Sequence, residues 1–322
     1  MILLWRITTL CNFACGFCAY DRRLVFPRTS ADPGEVERVT LLAADLALRR
    51  GERLLVSWLG GEPLLWPPLL DLSARLARHP AVSISATTNG SRLLAGPVQA
   101  GLLAHFSELT LSIDGPAAVH DRLRGAPGSY GRMQRAATAL AAGRRAGRSR
   151  LKLRANSVLM RETVGQFPAL CRTLAGWGVD EITFNQLGGR DRPAFFAGQA
   201  LTPADVAAIR RWLPGLRAEL AERGVRLCAS QSYLDRIEAS SRGESLAGID
   251  CRPGESFLFI DEHGIMAPCS FTTGDYGVPV GDLASVADLA ALPARFAHAR
   301  ADRRNPVCDD CPSTQLFGKF AA

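Results

Sequence analysis

The chain has 322 residues and lacks any uninterrupted apolar run near the ~18 residues that cross a bilayer. Its N-terminus has no basic segment followed by an apolar stretch and a cleavage site, so nothing marks it for export. No internal repeat or low-complexity linker interrupts it. No tail concentrates charge of one sign. Lys and Arg outnumber Asp and Glu by 38 to 31, a net +7, and apart from a short cluster at residues 144–150 the arginines are scattered. Such a surplus favours anionic partners only mildly and lacks the clustered footprint of a nucleic-acid binder. With 47% apolar and 21% charged residues the composition excludes a disordered or fibrous chain, and the length suits about two domains.

What the chain does have is nine cysteines, at positions 11, 15, 18, 171, 228, 251, 269, 308 and 311. An odd count in an unexported protein argues for thiolate ligation over a disulfide framework. Cys171 and Cys228 stand alone in apolar stretches and are expected to be small buried hydrophobes. The other seven form two constellations near the chain ends.

Between them, short apolar runs alternate with helical patterns. Strands are predicted at Ile2–Ile7, Leu54–Trp58, Val82–Ala86, Leu109–Ile113, Leu151–Val158 and Ile182–Asn185. Their nearly continuous Ile, Val and Leu content suits parallel strands covered on both faces. Helices are predicted at Pro33–Arg50, Pro67–Arg78, Arg92–His105, Tyr130–Ala146 and Thr163–Trp177, and later at Thr202–Arg223, Tyr233–Ser241 and Ser285–Ala299. Repeated strand–helix units build a parallel sheet or barrel whose chemistry sits at the C-terminal strand ends. Phe257–Ile260 and Ile265–Pro268, joined through Gly264, predict a hairpin.

Cys11-Asn12-Phe13-Ala14-Cys15-Gly16-Phe17-Cys18 directly follows the first strand. Three soft thiolates favour an iron–sulfur cluster or zinc over a hard cation. Tetrahedral zinc calls for a fourth ligand, and neither His nor Cys follows nearby. The spacing Cys11-x3-Cys15-x2-Cys18 resembles the signature of the radical S-adenosylmethionine (SAM) enzymes. Gly60-Gly61-Glu62-Pro63 after the second strand, Thr88-Asn89-Gly90 after the third and Ser112-Ile113-Asp114-Gly115 closing the fourth carry the same resemblance.

The resemblance implies a partial (β/α)6 TIM-like α/β barrel and a [4Fe–4S] cluster on Cys11, Cys15 and Cys18 with SAM on the fourth iron. It implies reductive cleavage of SAM to a 5′-deoxyadenosyl radical that abstracts hydrogen from a substrate carbon. The expected SAM contacts are Gly60, Gly61 and Glu62 at the methionine amino group and Ser112 at the ribose or carboxylate. Asp114 would order that strand end, Phe17 and Tyr20 would flank the adenine, and Arg154 and Asn156 would approach the carboxylate.

Near the other end, Cys251-x12-Gly264-x4-Cys269 precedes Cys308-Asp309-Asp310-Cys311. By spacing alone, four thiolates suit zinc or an iron–sulfur cluster equally. The pattern resembles the auxiliary-cluster domains called SPASM and, in shorter form, twitch, which implies one auxiliary [4Fe–4S] cluster on Cys251, Cys269, Cys308 and Cys311. The long form continues with further cysteines, but Phe317 and Ala321 stand at those places. Full thiolate ligation favours electron transfer over substrate coordination. The expected organisation is a barrel core at residues 1–195, a helical connection at 196–250 and the auxiliary-cluster domain at 251–322.

These implications together describe a radical SAM oxidoreductase that oxidises or cross-links a ribosomally made peptide. The same resemblance also fits a twitch-type dehydrogenase of a small-molecule alcohol. A non-catalytic iron–sulfur or zinc module is the alternative of another class, which Glu62 at a strand end argues against. Asp261, Glu262 and His120 are the candidate bases, with Ser270 at the position where sulfatase-maturing relatives carry Asp. The expected partners are a peptide or small-molecule substrate and an external reductant such as flavodoxin or ferredoxin. Because the first strand begins at residue 2, any leader-peptide-binding domain is expected as a separate protein. Neither membrane nor nucleic acid is expected as a partner, and oxygen-sensitive clusters place the chain in the cytoplasm.

Overall fold

Alternation along the strands decides what the fold can do. The computed structural model describes residues 1–189, 191–248 and 251–321. Strands β1 (Ile2–Thr8), β2 (Leu54–Gly60), β3 (Val82–Thr88), β4 (Glu108–Ser112), β5 (Lys152–Leu159), β6 (Glu181–Gln186) and β7 (Arg226–Leu227) lie side by side in chain order, each parallel to the next. On β1, Leu3, Trp5 and Ile7 are fully or almost fully buried, while Ile2, Leu4 and Arg6 on the other face are only partly so. The same two-residue period on β5 puts Leu153, Ala155, Ser157 and Leu159 on one face and Lys152, Arg154, Asn156 and Val158 on the other. One face of the strands is therefore an apolar wall against helices. The other is a polar lumen.

The helices are α1 (Pro33–Arg49), α2 (Leu69–Leu76), α3 (Gly96–His105), α4 (Ala117–Arg124), α5 (Ser129–Gly143), α6 (Phe167–Gly176), α7 (Pro193–Gln199), α8 (Pro203–Glu222), α9 (Gln231–Arg242), α10 (Thr273–Tyr276) and α11 (Val286–Asp302). Helix α1 starts where Asp32 accepts a hydrogen bond from the Glu35 amide at 2.9 Å, with Pro33 at the first helical position. Its buried stripe of Val36, Val39, Ala43 and Ala47 packs in the same core as Trp5 and Trp58. Fully burying a side chain as large as Leu or Phe contributes about 1.5–3 kcal/mol, so this wall is the main source of stability. Cys171 and Cys228 are fully buried, as small apolar residues would be. No helix among the described residues is long and apolar enough to cross a membrane.

The strand–helix alternation thus yields the expected α/β partial barrel, and the sheet then extends beyond it. Strand β8 (Phe257–Ile260) pairs parallel with β1, Ile2 opposite Phe257 and Trp5 opposite Ile260. Strands β9 (Ile265–Ala267) and β10 (Val278–Pro279) follow antiparallel, giving one sheet ordered β10-β9-β8-β1-β2-β3-β4-β5-β6-β7. The β8–β9 turn is held by Asp261, whose Oδ1 accepts from the amides of His263 (3.0 Å) and Ile265 (2.9 Å). At the open side of the barrel, residues 317–321 fold back against the end of β7. The Ala229 amide donates to Ala321 O (2.8 Å) and the Ser230 amide to Gly318 O (3.2 Å).

Candidate active site

The loop Cys11–Cys18 leaves the top of β1 and is pinned by its neighbours. The Gly61 amide donates to Thr8 O at 2.8 Å, and the Glu62 amide to Leu10 O at 2.7 Å. Only glycine allows this approach: a Cβ on Gly61 would stand 2.1 Å from Leu10 O, and one on Gly60 would stand 2.2 Å from Thr8 O. Glu62 is wholly buried, and its carboxylate accepts from Thr88 Oγ1 (2.7 Å), Asn89 N (2.6 Å) and Leu64 N (3.2 Å). Burial outweighs these donors and pushes its pKa up to about 7. Three of roughly four carboxylate lone-pair sites are filled, leaving room for one more donor. Asn89 continues the chain of contacts, donating from Nδ2 to Asn12 Oδ1 (3.0 Å) and lying 3.7 Å from Cys11 Sγ.

The three thiols are mutually coupled in charge, and burial raises the pKa of each, that of Cys15 to about 12. Backbone amides of Phe13 and Tyr20 point at Cys11 Sγ (3.5 Å) and Cys18 Sγ (3.4 Å). The buried Arg124 guanidinium, from the end of α4, lies near Cys15 and Cys18 and lowers both, although less than burial raises them. Among the described residues no three His, Cys, Asp or Glu side chains already stand in a closed metal-ligating group. The donor set nonetheless fits an iron–sulfur cluster: three thiols, two amides directed at sulfur and one buried cation to offset negative charge.

Asp114 is buried. Its Oδ1 accepts from the Val158 amide (2.9 Å) and its Oδ2 lies 2.7 Å from Arg124 Nε, so it orders the β4 end and holds Arg124. Ser112 and Asn156 are partners across the β4–β5 pairing and share the lumen face. Arg154 lies two residues lower on that face, where its guanidinium is taken up by Glu108 (3.0 Å) and Glu181. Phe17 packs against Phe195, ring centroids 6.0 Å apart, and Tyr20 faces Arg6 and Glu262. Glu262 is ion-paired with Arg6, and Asp261 Oδ2 stands 3.8 Å from the same guanidinium. His120 lies apart from this group, completely buried, with Nδ1 accepting from the Asp114 amide (3.3 Å) and its ring 6.0 Å from Tyr130. Burial holds its pKa down at about 4.

Two lumen residues carry no recognisable motif. Arg6 interrupts an apolar strand, and that interruption was the available signal. Lys319 sits in the C-terminal tail, where only the fold brings it to Asn156 Oδ1, at 2.8 Å. Burial, with Arg154 nearby, lowers its pKa to about 7.

The second constellation surrounds a different space. Cys251, Cys269, Cys308 and Cys311 all line one cavity of about 520 Å³, bordered by Met1 and Ile2 at the start of β1. Arg300 Nη1 donates to Cys251 Sγ at 3.0 Å, and Thr272 Oγ1 lies 3.3 Å from Cys269 Sγ. Segment 246–248 holds the CxxC turn through Cys311 N to Leu246 O (2.9 Å) and Gly248 N to Cys308 O (3.1 Å). A second cavity, of about 550 Å³, opens beyond the end of β6 between Tyr233, Arg236, Phe196 and residues 312–314.

Comparison with known proteins agrees with this geometry. An AdoMet-dependent heme synthase of Oleidesulfovibrio alaskensis is 23% identical over 287 residues, 86% of this chain and 71% of that protein. The mycofactocin maturase MftC of Mycobacterium tuberculosis is 26% identical over 279 residues, 85% of this chain and 65% of that one. The chain therefore spans about two thirds of the length of these relatives. The crystal structure of Streptococcus suis SuiB bound to S-adenosylmethionine superposes over 100% of this chain and 72% of its own, with a TM-score of 0.69 at 18% identity. Residues 5–174 match the sequence model of the Radical SAM superfamily, and the chain belongs to that superfamily.

Proposed function

We propose that the chain is a radical SAM oxidoreductase of the SPASM/twitch kind that oxidatively modifies a ribosomally made peptide. The observation that carries the proposal is the pairing of a three-thiol loop at one end of β1 with a four-cysteine cavity at its other end. β1 advances about 3.3 Å per residue, so the strand that separates the two sets is roughly 20 Å long. Cys11, Cys15 and Cys18 would hold the cluster that binds SAM, and Cys251, Cys269, Cys308 and Cys311 an auxiliary [4Fe–4S] cluster. When bound, these groups supply a 5′-deoxyadenosyl radical and an acceptor for the second electron of a two-electron oxidation.

The chain's own residues prepare the site. Glu62 would offer its remaining acceptor position to the methionine amino group, Ser112 and Asn156 would hold the carboxylate and ribose, and Phe17 and Tyr20 would flank the adenine. Glu262, braced by Arg6, is the carboxylate best placed in the lumen to take the proton lost from the oxidised carbon, with Asp261 occupied by its turn and His120 remote. The cavity beyond β6 provides the substrate entrance. MftC is named a maturase, and SuiB has been crystallised with the precursor peptide SuiA; both support a peptide substrate. Dehydrogenation of a small molecule is the second reading, favoured by the likeness to a heme synthase.

The test is anaerobic reconstitution followed by incubation with SAM, dithionite and candidate precursor peptides from neighbouring genes. About eight iron atoms per chain, falling to about four in Cys308→Ser, and a peptide lighter by two hydrogens are expected. Four iron atoms in the unsubstituted protein would remove the electron acceptor and overturn the oxidative reading.

A further inference from the structure

Five large apolar side chains are exposed among the described residues. Leu41 and Leu48 lie on α1, whereas Leu10, Val25 and Leu94, which are 40%, 102% and 43% exposed, lie on loops beside the Cys11–Cys18 segment. Two backbone or side-chain contacts tie these loops to it: the Arg22 amide donates to Phe13 O (3.0 Å), and Ser91 Oγ lies 3.3 Å from Asn12 Oδ1. Asn12 itself is exposed, so the loop reaches the surface beside these apolar side chains.

The rim is cationic. Arg22, Arg23, Arg28, Arg92 and Arg192 stand on these loops or on the 191–192 segment packed beside them, against Asp21 and Asp191. Asp21 is buried and consumed by Arg23 (2.6 Å) and Arg192 (3.3 Å). Arg28 spends its donors on the carbonyls of Thr9 and Asp21, stacks on Phe26 at 3.8 Å and makes no ion pair among the described residues. Arg22 and Arg92 are exposed and make no ion pair among the described residues. Holding unpaired positive charge and bare apolar side chains together on these loops gives no benefit to folding, since neither is buried. Apolar contact centres with charged rims are the make-up of transient electron-transfer interfaces, which are small and sign-matched.

We propose that this rim, centred on Leu10, Val25 and Leu94 and flanked by Arg22 and Arg92, is the docking surface for a small acidic one-electron carrier that reduces the Cys11–Cys18 cluster. The inference rests on the radical SAM chemistry of that loop, which requires an electron from outside. It does not depend on the substrate or on the auxiliary site. Encounter with an acidic partner is steered by the unpaired arginines and weakens as salt screens them.

The experiment uses the reconstituted holoenzyme and reads cluster bleaching in anaerobic stopped flow, with SAM cleavage as the slower readout. Two reductants are compared: flavodoxin hydroquinone, which is acidic, and reduced methyl viologen, a small cation. In R22E/R92E the flavodoxin rate is expected to fall about tenfold or more at low ionic strength and to lose most of its salt dependence. Leu94→Ser is expected to slow the same rate at every salt concentration. The viologen rate should stay equal or rise. An equal loss with both reductants, or a flavodoxin rate unchanged at low salt, overturns the docking assignment. Failure of viologen to support any SAM cleavage in the unsubstituted protein would instead sink the radical SAM chemistry itself, so the two failures are distinguishable.

Discussion

Gly61→Ala is the sharpest test of how the Gly60-Gly61-Glu62-Pro63 turn serves the cysteine loop. A Cβ there would meet Leu10 O at 2.1 Å, Leu10 C at 2.5 Å and Thr9 O at 2.9 Å, all backbone atoms that no rotamer change can move. Ordinary contact begins near 3.4 Å, so the two segments must part by roughly 1 Å. That separation breaks the bonds from Gly61 N to Thr8 O and from Glu62 N to Leu10 O, now 2.8 and 2.7 Å long. Each is worth about 1 kcal/mol net, and strain at the Glu62 carboxylate adds to them, for a total of about 2–4 kcal/mol. Against the usual 5–15 kcal/mol the protein still folds. Urea unfolding of the iron-free protein should show this loss, and the reconstituted variant should hold less iron and release less 5′-deoxyadenosine. Gly165→Ala, with open space around its Cβ, is the control and should cost almost nothing. A Gly61→Ala protein with an unchanged urea midpoint and full iron content would refute the claim that this backbone contact positions the loop.

Further expectations concern buried charge. Glu62 holds its proton up to about pH 7 in the folded chain, against about 4.3 when unfolded. The stability it contributes is therefore full below about pH 4.3 and is lost as pH climbs through about 7, by as much as about 4 kcal/mol. Urea midpoints of Glu62→Gln should be flatter than the unsubstituted protein's between pH 5 and 8, whatever their absolute level. Lys319 has the opposite sense: with a folded pKa near 7, its contribution is present above about pH 10 and is lost as pH falls through about 7. Lys319→Met should be the more stable protein at pH 6–7, with the advantage shrinking toward pH 10. Asp114→Ala leaves the Arg124 guanidinium buried without its carboxylate and should cost about 3–5 kcal/mol by the same denaturation measurement.

Much of the architecture could be read from the chain because its signals are local. The Ile/Val/Leu runs predicted β1 through β6 to within a residue or two at most ends, and Asp32-Pro33 marked the start of α1 where the Asp32 cap is found. Helix α4 was not anticipated. Its eight residues hold His120, Asp121, Arg122 and Arg124 with little apolar periodicity, and what fixes it is Asp114 gripping Arg124 from another element. The parallel pairing of β8 with β1 spans some 250 residues of chain and has no local signature. The site shows the same divide. The cysteines and Glu62 announced themselves through motif spacing, whereas the Arg6–Glu262 pair and the reach of Lys319 to Asn156 are products of tertiary folding. For Arg154 the sequence showed a cation on the lumen strand but not its two glutamate partners, which come from strands on either side.

The seam between β1 and β8 constrains any attempt to work with a smaller protein. Because β1 sits between β2 and β8, cutting the chain ahead of residue 257 would strip one flank from the strand that leads into the cysteine loop. The exposed amides and carbonyls from Ile2 to Trp5 would then form a raw, apolar margin of the sort that recruits neighbouring molecules into aggregates. A minimal barrel should accordingly accumulate in inclusion bodies, and supplying residues 251–322 as a separate polypeptide is the natural way to mend it.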